Sequence, residues 1–370
     1  MLKNLATAEA TAAYARRFPK LDGNYRPMLG RSVSSIGIGT YLGEHDDQTD
    51  ADYQAALKVA LLGGINLIDT AVNYRFQRSE RCIGRVLAEL VGSGELRREE
   101  IVVATKGGYI TFDGALPPNP REWFNDTYLK SGIIGPGELV EGSHCMTPRY
   151  LERMLAMSLE NLGLESVDIY YLHNPETQLG AVDRKEFLAR IRLAFEMLEG
   201  KAAEGKIGVY GAATWNGFRV APQDDGYLSI AELVGIAGEV GGADHHFRVL
   251  QMPYNLAMPE AFTVINQAIA GGDGSPLAAA EAMNLAVCAS ASLLQGRLAK
   301  GLPPVVAEAL TGLDNDGQRA IQFVRSTPGV NVALVGMKTV GHVRESLAIA
   351  SHPPAPRESL LKLFRPAPER

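Results

Sequence analysis

Short apolar segments alternate with amphipathic ones along most of the chain, from residue 35 to residue 350. The apolar segments are bounded by glycine or polar residues, which is typical of buried parallel strands. The amphipathic segments carry apolar residues three and four positions apart, which predicts helices that pack through one face. Eight such strand–helix units follow one another without a domain break. This pattern predicts the α/β class and a single (β/α)8 TIM barrel.

The boundaries of these units follow from the hydrophobic pattern and from helix-start signals. Ser79 is expected to cap its helix, and Pro148 suits a first helical position. The predicted strands are residues 35–41, 65–71, 101–106, 168–173, 208–213, 247–254, 285–292 and 330–337. The predicted helices are residues 49–62, 79–91, 148–162, 185–204, 228–240, a segment within either 259–270 or 276–283, 316–325 and 340–350.

Three segments lie outside this regular barrel, which is assigned to residues 28–352. Residues 1–27 form a short N-terminal extension, whose Ala-rich residues 6–18 predict a helix that packs on the barrel surface or bottom. Residues 107–147 form a long insertion after the third strand. Loops of this length are usually functional or carry small elements of their own. Residues 353–370 form a short C-terminal tail that begins with several prolines.

The composition limits the partners and the compartment that we expect. The formal net charge is −6, from 36 basic and 42 acidic residues, and no long basic run is present, which argues against a nucleic-acid partner. The three cysteines are far apart in sequence, which argues against a disulfide framework and favours a reducing compartment such as the cytoplasm. No apolar run predicts a secretory signal or a membrane helix. The oligomeric state is not predicted.

Polar residues stand at or just beyond the C-terminal ends of the second, third and fourth predicted strands. In a parallel α/β barrel these ends share one face, where catalytic groups gather. A phenol beside an ammonium has a lowered pKa, and an imidazole can hydrogen-bond a substrate oxygen. The alternative is an ion pair, a loop aromatic and a core histidine without catalytic roles. Their joint occurrence favours a site, and we call these residues the strand-end cluster: Asp69, Tyr74, Lys106 and His173.

Residues 29–350 resemble the aldo-keto reductase superfamily. The similar segments are Asp69-Thr70-Ala71 with Tyr74, Ser79-Glu80 and Gly84, then Val103-Ala104-Thr105-Lys106, and His173-Asn174-Pro175. The resemblance implies an NAD(P)H-dependent oxidoreductase that interconverts an aldehyde or ketone and an alcohol. It implies that Tyr74 is the general acid, that Lys106 and Asp69 tune it, and that His173 orients the carbonyl.

The resemblance also implies a cofactor, NADP, with NAD as the alternative. Lys338 and Thr339 suit a 2′-phosphate, and no Gly-x-Gly-x-x-Gly follows a strand, so a Rossmann site is not expected. Two positions depart from the family pattern, because Ala213 replaces a serine and Ser290 replaces a stacking tyrosine. The implied cofactor residues are Thr40, Asp69, Thr214, Gln251, Ser290, Leu293, Gln295, Lys338, Thr339, His342 and Ser346.

The substrate is expected to be a small carbonyl or sugar-like molecule. Its pocket is assigned to Tyr41, Tyr109 and Trp123, and the insertion is interpreted as a cover over the active site, with a passive small core as the alternative. No metal is expected, because His144 and the pair at 245–246 lack zinc-like spacing and are interpreted as loop histidines. The alternative function is a nucleotide-binding regulatory or non-catalytic protein on the same barrel.

Overall fold

The computed structural model describes residues 1–364, and within this range eight parallel strands form a closed barrel. Each strand pairs with the next along the chain, and the last pairs with the first. The predicted fold class is therefore confirmed. The strands are β1 (Ile36–Gly39), β2 (Leu67–Asp69), β3 (Val102–Gly107), β4 (Val167–His173), β5 (Ile207–Ala213), β6 (Phe247–Pro253), β7 (Ala286–Ser290) and β8 (Val332–Gly336).

One helix follows each strand and packs outside the barrel. For the sixth unit, the later of the two predicted segments forms the helix. The earlier one holds a single turn, Glu260–Thr263, and a hairpin of Gln267–Ile269 with Gly272–Gly274. The helices are α1 (Asp47–Gly63), α2 (Arg78–Gly92), α3 (Pro148–Leu162), α4 (Arg184–Ala203), α5 (Ile230–Gly241), α6 (Pro276–Ala282), α7 (Asp316–Ser326) and α8 (Val340–Ala350).

Helix α2 shows how sequence and packing combine in these units. Its apolar face is buried as predicted, but Ser79 as its cap is wrong, because Gln77 takes that position in a left-handed conformation. The Ser79 hydroxyl instead donates to the Thr40 carbonyl at 2.7 Å, which links α2 to the end of β1. A Cβ on Gly84 would lie 2.5 Å from the Asn161 carbonyl, so glycine lets α2 and α3 approach closely.

The N-terminal segment closes the bottom of the barrel. Its helix, Ala8–Arg16, buries Tyr14, whose hydroxyl donates to the Leu61 carbonyl at 2.6 Å. A hairpin of Tyr25–Met28 with Arg31–Ser34 follows and was not predicted. Its tight turn places Leu29 and Gly30 at positive φ, and its apolar residues pack into the lower barrel interior.

The insertion, residues 107–147, carries an aromatic cluster of its own. It contains the short helix Pro120–Phe124 and a π-helical turn, Asn125–Leu129. The Trp123 ring lies 5.1 Å from that of Phe112 and 5.7 Å from that of Tyr128. The cluster also contacts barrel residues, because Phe112 packs on Phe76 and Tyr128 packs on Tyr150 of α3.

Several short elements connect the regular units. The predicted tail contains an unpredicted helix, Arg357–Lys362, whose Leu360 is buried, and residues 365–370 of that tail lie outside the described residues. No helix in residues 1–364 is long and apolar enough to cross a membrane. The remaining short helices are Pro19–Asn24, Arg98–Glu100, Pro175–Gly180, Arg297–Ala299 and Pro304–Ala309.

Candidate active site

The ends of β2 and β3 bring three members of the strand-end cluster into contact. The Lys106 ammonium lies 2.7 Å from Asp69 Oδ2 and 3.3 Å from the Tyr74 hydroxyl oxygen. It also donates to the Thr70 carbonyl at 2.8 Å. Because Lys106 is fully buried, its charge requires these partners, and the carboxylate supplies the compensating charge.

The second oxygen of the Asp69 carboxylate is held from the opposite side of the barrel. Gln251, on β6, donates from Nε2 to Asp69 Oδ1 at 2.7 Å. Thr40, just after β1, shares a hydrogen bond with the Thr70 hydroxyl at 2.9 Å. Two of the predicted cofactor residues are therefore joined to the network that holds Lys106, although they are far apart in sequence.

Burial decides the protonation state of the phenol. Burial raises the pKa of Tyr74, and this effect exceeds the lowering by the Lys106 ammonium, so the net pKa is raised. Burial lowers the pKa of Lys106, but Asp69 and Tyr74 together outweigh it and leave the pKa raised. A neutral phenol beside a charged ammonium can donate a proton to an oxygen placed above it.

His173 completes the strand-end cluster from the end of β4. Its ring lies 5.8 Å from the Tyr74 ring, at an interplanar angle of 76°. Burial, with further contributions from Lys106 and His144, lowers the pKa of His173 well below its usual range, so the ring is neutral. Its Nδ1 atom is buried and has no hydrogen-bond partner within residues 1–364. A neutral imidazole of this kind can hydrogen-bond a substrate oxygen.

The residues assigned to the substrate pocket lie in two different places. Tyr41 is 56% exposed, and its ring lies 5.0 Å from the Tyr74 ring. The Tyr109 ring meets the His173 ring edge to face at 5.1 Å. Trp123 packs instead in the aromatic cluster of the insertion. The structure therefore brings Tyr41 and Tyr109 to the strand-end cluster, whereas the aromatic partners of Trp123, Phe112 and Tyr128, lie within the insertion.

The predicted cofactor residues continue around the same face of the barrel. Thr214 follows β5, and its hydroxyl is buried without a partner among the described residues. Ser290 ends β7. Leu293 and Gln295 lie in the next loop, where Ala291, Leu294 and Gln295 all have positive φ. Left-handed backbone at such residues is costly and tends to occur at functional sites.

The residues predicted to bind the 2′-phosphate end of the cofactor lie after β8 and on α8. Lys338 follows β8, and Thr339 caps α8 by accepting a hydrogen bond from the His342 amide at 3.4 Å. His342 is exposed, whereas Ser346, one turn later, is buried. A helix N-terminus presents free N–H groups and positive potential, which suits an anion.

Several site residues were not found by sequence reasoning. Arg75 follows Tyr74, and Glu176 and Gln178 lie in the turn Pro175–Gly180 after His173, but no spacing or motif distinguishes them. Glu176 accepts hydrogen bonds from the backbone amides of Trp215 and Asn216, at 2.6 and 3.1 Å, and so joins the loops after β4 and β5. His144, interpreted as a loop histidine, is buried against the His173 carbonyl. Within residues 1–364 no group of three metal-ligand side chains could hold a metal ion.

Comparisons with known proteins identify the family. The model of the aldo/keto reductase family matches residues 35–222. The chain is 29% identical over 185 residues to D-threo-aldose 1-dehydrogenase from a Pseudomonas species, covering 50% of this chain and 49% of the relative. It is 30% identical over 187 residues to NADH-specific methylglyoxal reductase from Escherichia coli K12, covering 49% and 48%. The chain thus spans about half the length of these curated relatives.

Solved structures agree on the fold. An aldo/keto reductase from Klebsiella pneumoniae, described in complex with NADP and acetate, superposes with a TM-score of 0.59 at 22% identity, covering 92% of this chain and 94% of the other. The holo form of an aldo-keto reductase from Bacillus halodurans gives a TM-score of 0.61 at 19% identity, covering 92% and 95%. At these identities the likeness concerns the fold alone. With the family model matching just over half of the residues, this chain belongs to the aldo/keto reductase family.

Proposed function

We propose that this protein is an NAD(P)-dependent oxidoreductase that interconverts an aldehyde or ketone and an alcohol. The observation that carries the proposal is the buried Lys106, which contacts both the Asp69 carboxylate and the Tyr74 hydroxyl at the C-terminal face of the barrel. Family membership supports the same chemistry. Burying the charges of Lys106 and Asp69 costs free energy of desolvation, and such buried charged groups are typical of functional sites. Proton transfer to a carbonyl oxygen is a function that these groups can perform.

The residues around the cluster fit a nicotinamide dinucleotide. The unpartnered Thr214 hydroxyl and the Gln251 amide offer polar contacts near Asp69, and Lys338 with the α8 N-terminus suits a phosphate. Leu293 and Gln295 come between Gln251 and Lys338 in the sequence. When bound, the reduced cofactor, NADPH or NADH, would supply the hydride from nicotinamide C4 for carbonyl reduction, and the oxidised form would accept it in the reverse direction.

The protein's own residues then control the carbonyl oxygen. Tyr74 donates its proton to that oxygen in reduction and accepts a proton in the reverse direction. Lys106, held by Asp69, stabilises the tyrosinate that results, and His173 orients the carbonyl through a neutral ring nitrogen. Tyr41 and Tyr109 supply apolar walls beside these polar groups, which is the usual composition of a small-molecule site.

The substrate class follows from the relatives as part of this proposal. The relatives are named for D-threo-aldoses and for methylglyoxal, so we infer a small aldehyde, ketone or sugar. The test is a spectrophotometric assay of NADPH and NADH oxidation with methylglyoxal and a panel of aldehydes, and of NADP⁺ and NAD⁺ reduction with aldoses. Turnover with any of them supports the proposal. Tight NADPH binding without turnover would favour the regulatory alternative.

Lys338 is expected to select the phosphorylated cofactor. Lys338→Ala should raise the Kd of NADPH by roughly 10- to 100-fold, because a charge-assisted contact with the 2′-phosphate is lost, and should change that of NADH by less than about threefold. Fluorescence titration measures both constants. Lys206→Ala is the matched control, since Lys206 is exposed at the opposite end of the barrel. Equal losses for both cofactors would show that Lys338 does not contact the 2′-phosphate.

The insertion is proposed to cover the active-site mouth. It leaves β3 directly after Lys106, on the face where βα loops build specificity. Replacing residues 116–141 by a short Gly/Ser linker should raise the KM for carbonyl substrates by about tenfold and alter their ranking, while the Kd of NADPH changes little. Circular dichroism confirms that the barrel remains folded. Unchanged KM values across the aldehyde panel would show that the insertion is a passive patch.

A further inference from the structure

A chain of polar side chains, of which His144 and Gln178 are buried, ends on the backbone of His173. His144, near the end of the insertion, contacts the His173 carbonyl oxygen through Nε2 at 2.8 Å. Its other ring nitrogen, Nδ1, lies 2.8 Å from Gln178 Nε2. Arg190, on α4, donates from Nη1 to Gln178 Oε1 at 2.5 Å. His144 is only 1% exposed, and within residues 1–364 its two ring nitrogens contact the His173 carbonyl oxygen and the Gln178 amide nitrogen.

The direction of every hydrogen bond in this chain is set by chemistry. A guanidinium can only donate, so the oxygen of the Gln178 amide must face Arg190 and its nitrogen must face His144. The amide nitrogen donates to Nδ1, which must therefore be unprotonated. A carbonyl can only accept, so Nε2 of His144 carries the hydrogen. Burial also lowers the pKa of His144 to about 4, which agrees with a neutral ring.

The packing around His144 leaves this arrangement little freedom. The Tyr109 ring contacts both histidine rings edge to face, at 5.1 Å from each. A Cβ on Gly108 would lie 2.8 Å from His144 Nε2 and 2.7 Å from the His173 carbonyl oxygen. Gly108 has a φ of +156°, and its missing side chain provides the space in which the two histidines meet. The hydrogen bond between His144 and the His173 carbonyl therefore depends on residues of the insertion and of β4.

We propose that His144 is a positioning residue that holds His173 in its working orientation. It acts through the His173 backbone, just before Asn174 turns into the left-handed region, and through the shared Tyr109 ring. The inference rests on the proposed function, in which His173 orients the carbonyl. If His144 positions His173, the end of the insertion contributes to catalysis, and this role is separate from covering the active site.

The first test compares two substitutions of His144. His144→Phe keeps the ring but removes both polar contacts, so kcat should fall roughly 10- to 100-fold, as small displacements of positioned groups do. The Kd of NADPH should stay within about twofold, because His144 does not lie among the cofactor residues. His144→Gln should restore most of kcat, since its amide nitrogen can donate to His173 while its oxygen accepts from Gln178. Failure of His144→Gln to recover more activity than His144→Phe would overturn the proposal.

A double-mutant cycle with His173 asks whether His144 acts through it. In a His173→Ala background, His144→Phe should cause less than about a twofold further loss in kcat, because no imidazole remains to be positioned. A full additional loss would overturn the proposal. His245→Phe is the matched control, since it removes another buried histidine that precedes β6 at the opposite end of the barrel. Its kcat should equal that of the unmodified protein.

A spectroscopic test does not depend on turnover. The chain has seven histidines, so ¹⁵N-histidine labelling with single-residue variants for assignment resolves both rings. His144 should show the neutral Nε2–H form at neutral pH. The His173 ring signals should shift in His144→Phe and return in His144→Gln, or shift in Gln178→Leu if His144→Phe does not fold. Unchanged His173 signals would overturn the proposal, whereas absent turnover with these shifts present would refute only the proposed function.

Discussion

Tyr74→Phe is expected to lower kcat for carbonyl reduction by about 10²- to 10⁴-fold, the usual contribution of a positioned general acid. The substitution removes only the hydroxyl that Lys106 contacts at 3.3 Å. Lys106 keeps Asp69 and the Thr70 carbonyl as partners, so the buried charge remains compensated. The Kd of NADPH should therefore stay within about twofold of that of the unmodified protein.

Steady-state turnover and cofactor fluorescence quenching, measured on the same samples, separate catalysis from binding in this variant. Tyr25→Phe is the matched control, because its hydroxyl donates to the Gly64 carbonyl at the bottom of the barrel. It should lose stability but retain kcat. Near-normal turnover in Tyr74→Phe would remove Tyr74 from the role of acid.

The pH dependence of the unmodified protein follows from the same environment. Because burial raises the pKa of Tyr74 above the ordinary value of a tyrosine, the phenol stays protonated through neutral pH and can act as an acid. Because burial lowers the pKa of His173 well below the ordinary value of a histidine, its ring stays neutral over the same range. The kcat for reduction should thus be level between about pH 6.5 and pH 9 and fall only above the usual tyrosine range.

Asp50→Asn is expected to lower the free energy of unfolding by about 3–5 kcal/mol, the usual cost of removing one partner from a buried ion pair. Asp50 accepts from Arg75 at 2.6 Å, and its second oxygen lies 2.9 Å from Arg78. Arg75 is only 3% exposed, so its guanidinium would lose its buried countercharge. The same guanidinium donates to the Glu44 carbonyl at 2.8 Å and so links the loop after β1 to the loop that carries Tyr74.

Urea titration measures the free energy of unfolding of Asp50→Asn, and Asp47→Asn is the control variant for comparison. Asp47 also pairs with Arg78, but its side chain is fully exposed and screened by solvent, so Asp47→Asn should lower the free energy of unfolding far less than Asp50→Asn. Although burial raises the pKa of Asp50, Arg78 and Arg75 outweigh burial and leave the pKa lowered. The charged pair therefore stabilises the fold above the unfolded carboxyl pKa near 3.9. Its contribution is lost as pH falls through the lower folded pKa. Equal effects of the two variants at neutral pH would contradict the prediction.

The sequence by itself determined the barrel and the face that carries the candidate site. Strand-like and helix-like periods alternate locally, and a closed parallel barrel is the structure that buries such strands on both faces. The sequence predicted that Asp69, Lys106 and His173 lie on one face of the barrel. Each stands at the end of a predicted strand, and parallel strands bring their C-terminal ends together. Lys106 lies on β3, and Tyr74 lies in the loop after β2. Because β2 and β3 are neighbouring strands, the two side chains can come into contact.

Tertiary structure alone decided which side chains support these residues. Gln251 reaches Asp69 across 182 positions in sequence, and His144 reaches His173 through a glycine that leaves room for both. The Ser79 cap was wrong because the helix already begins at Arg78, one residue earlier, and the Ser79 hydroxyl donates to the Thr40 carbonyl at the end of β1. Local periodicity reports which face of an element is buried. It contains no information on distant partners, since long-range polar pairs depend on barrel closure and on the paths of the loops.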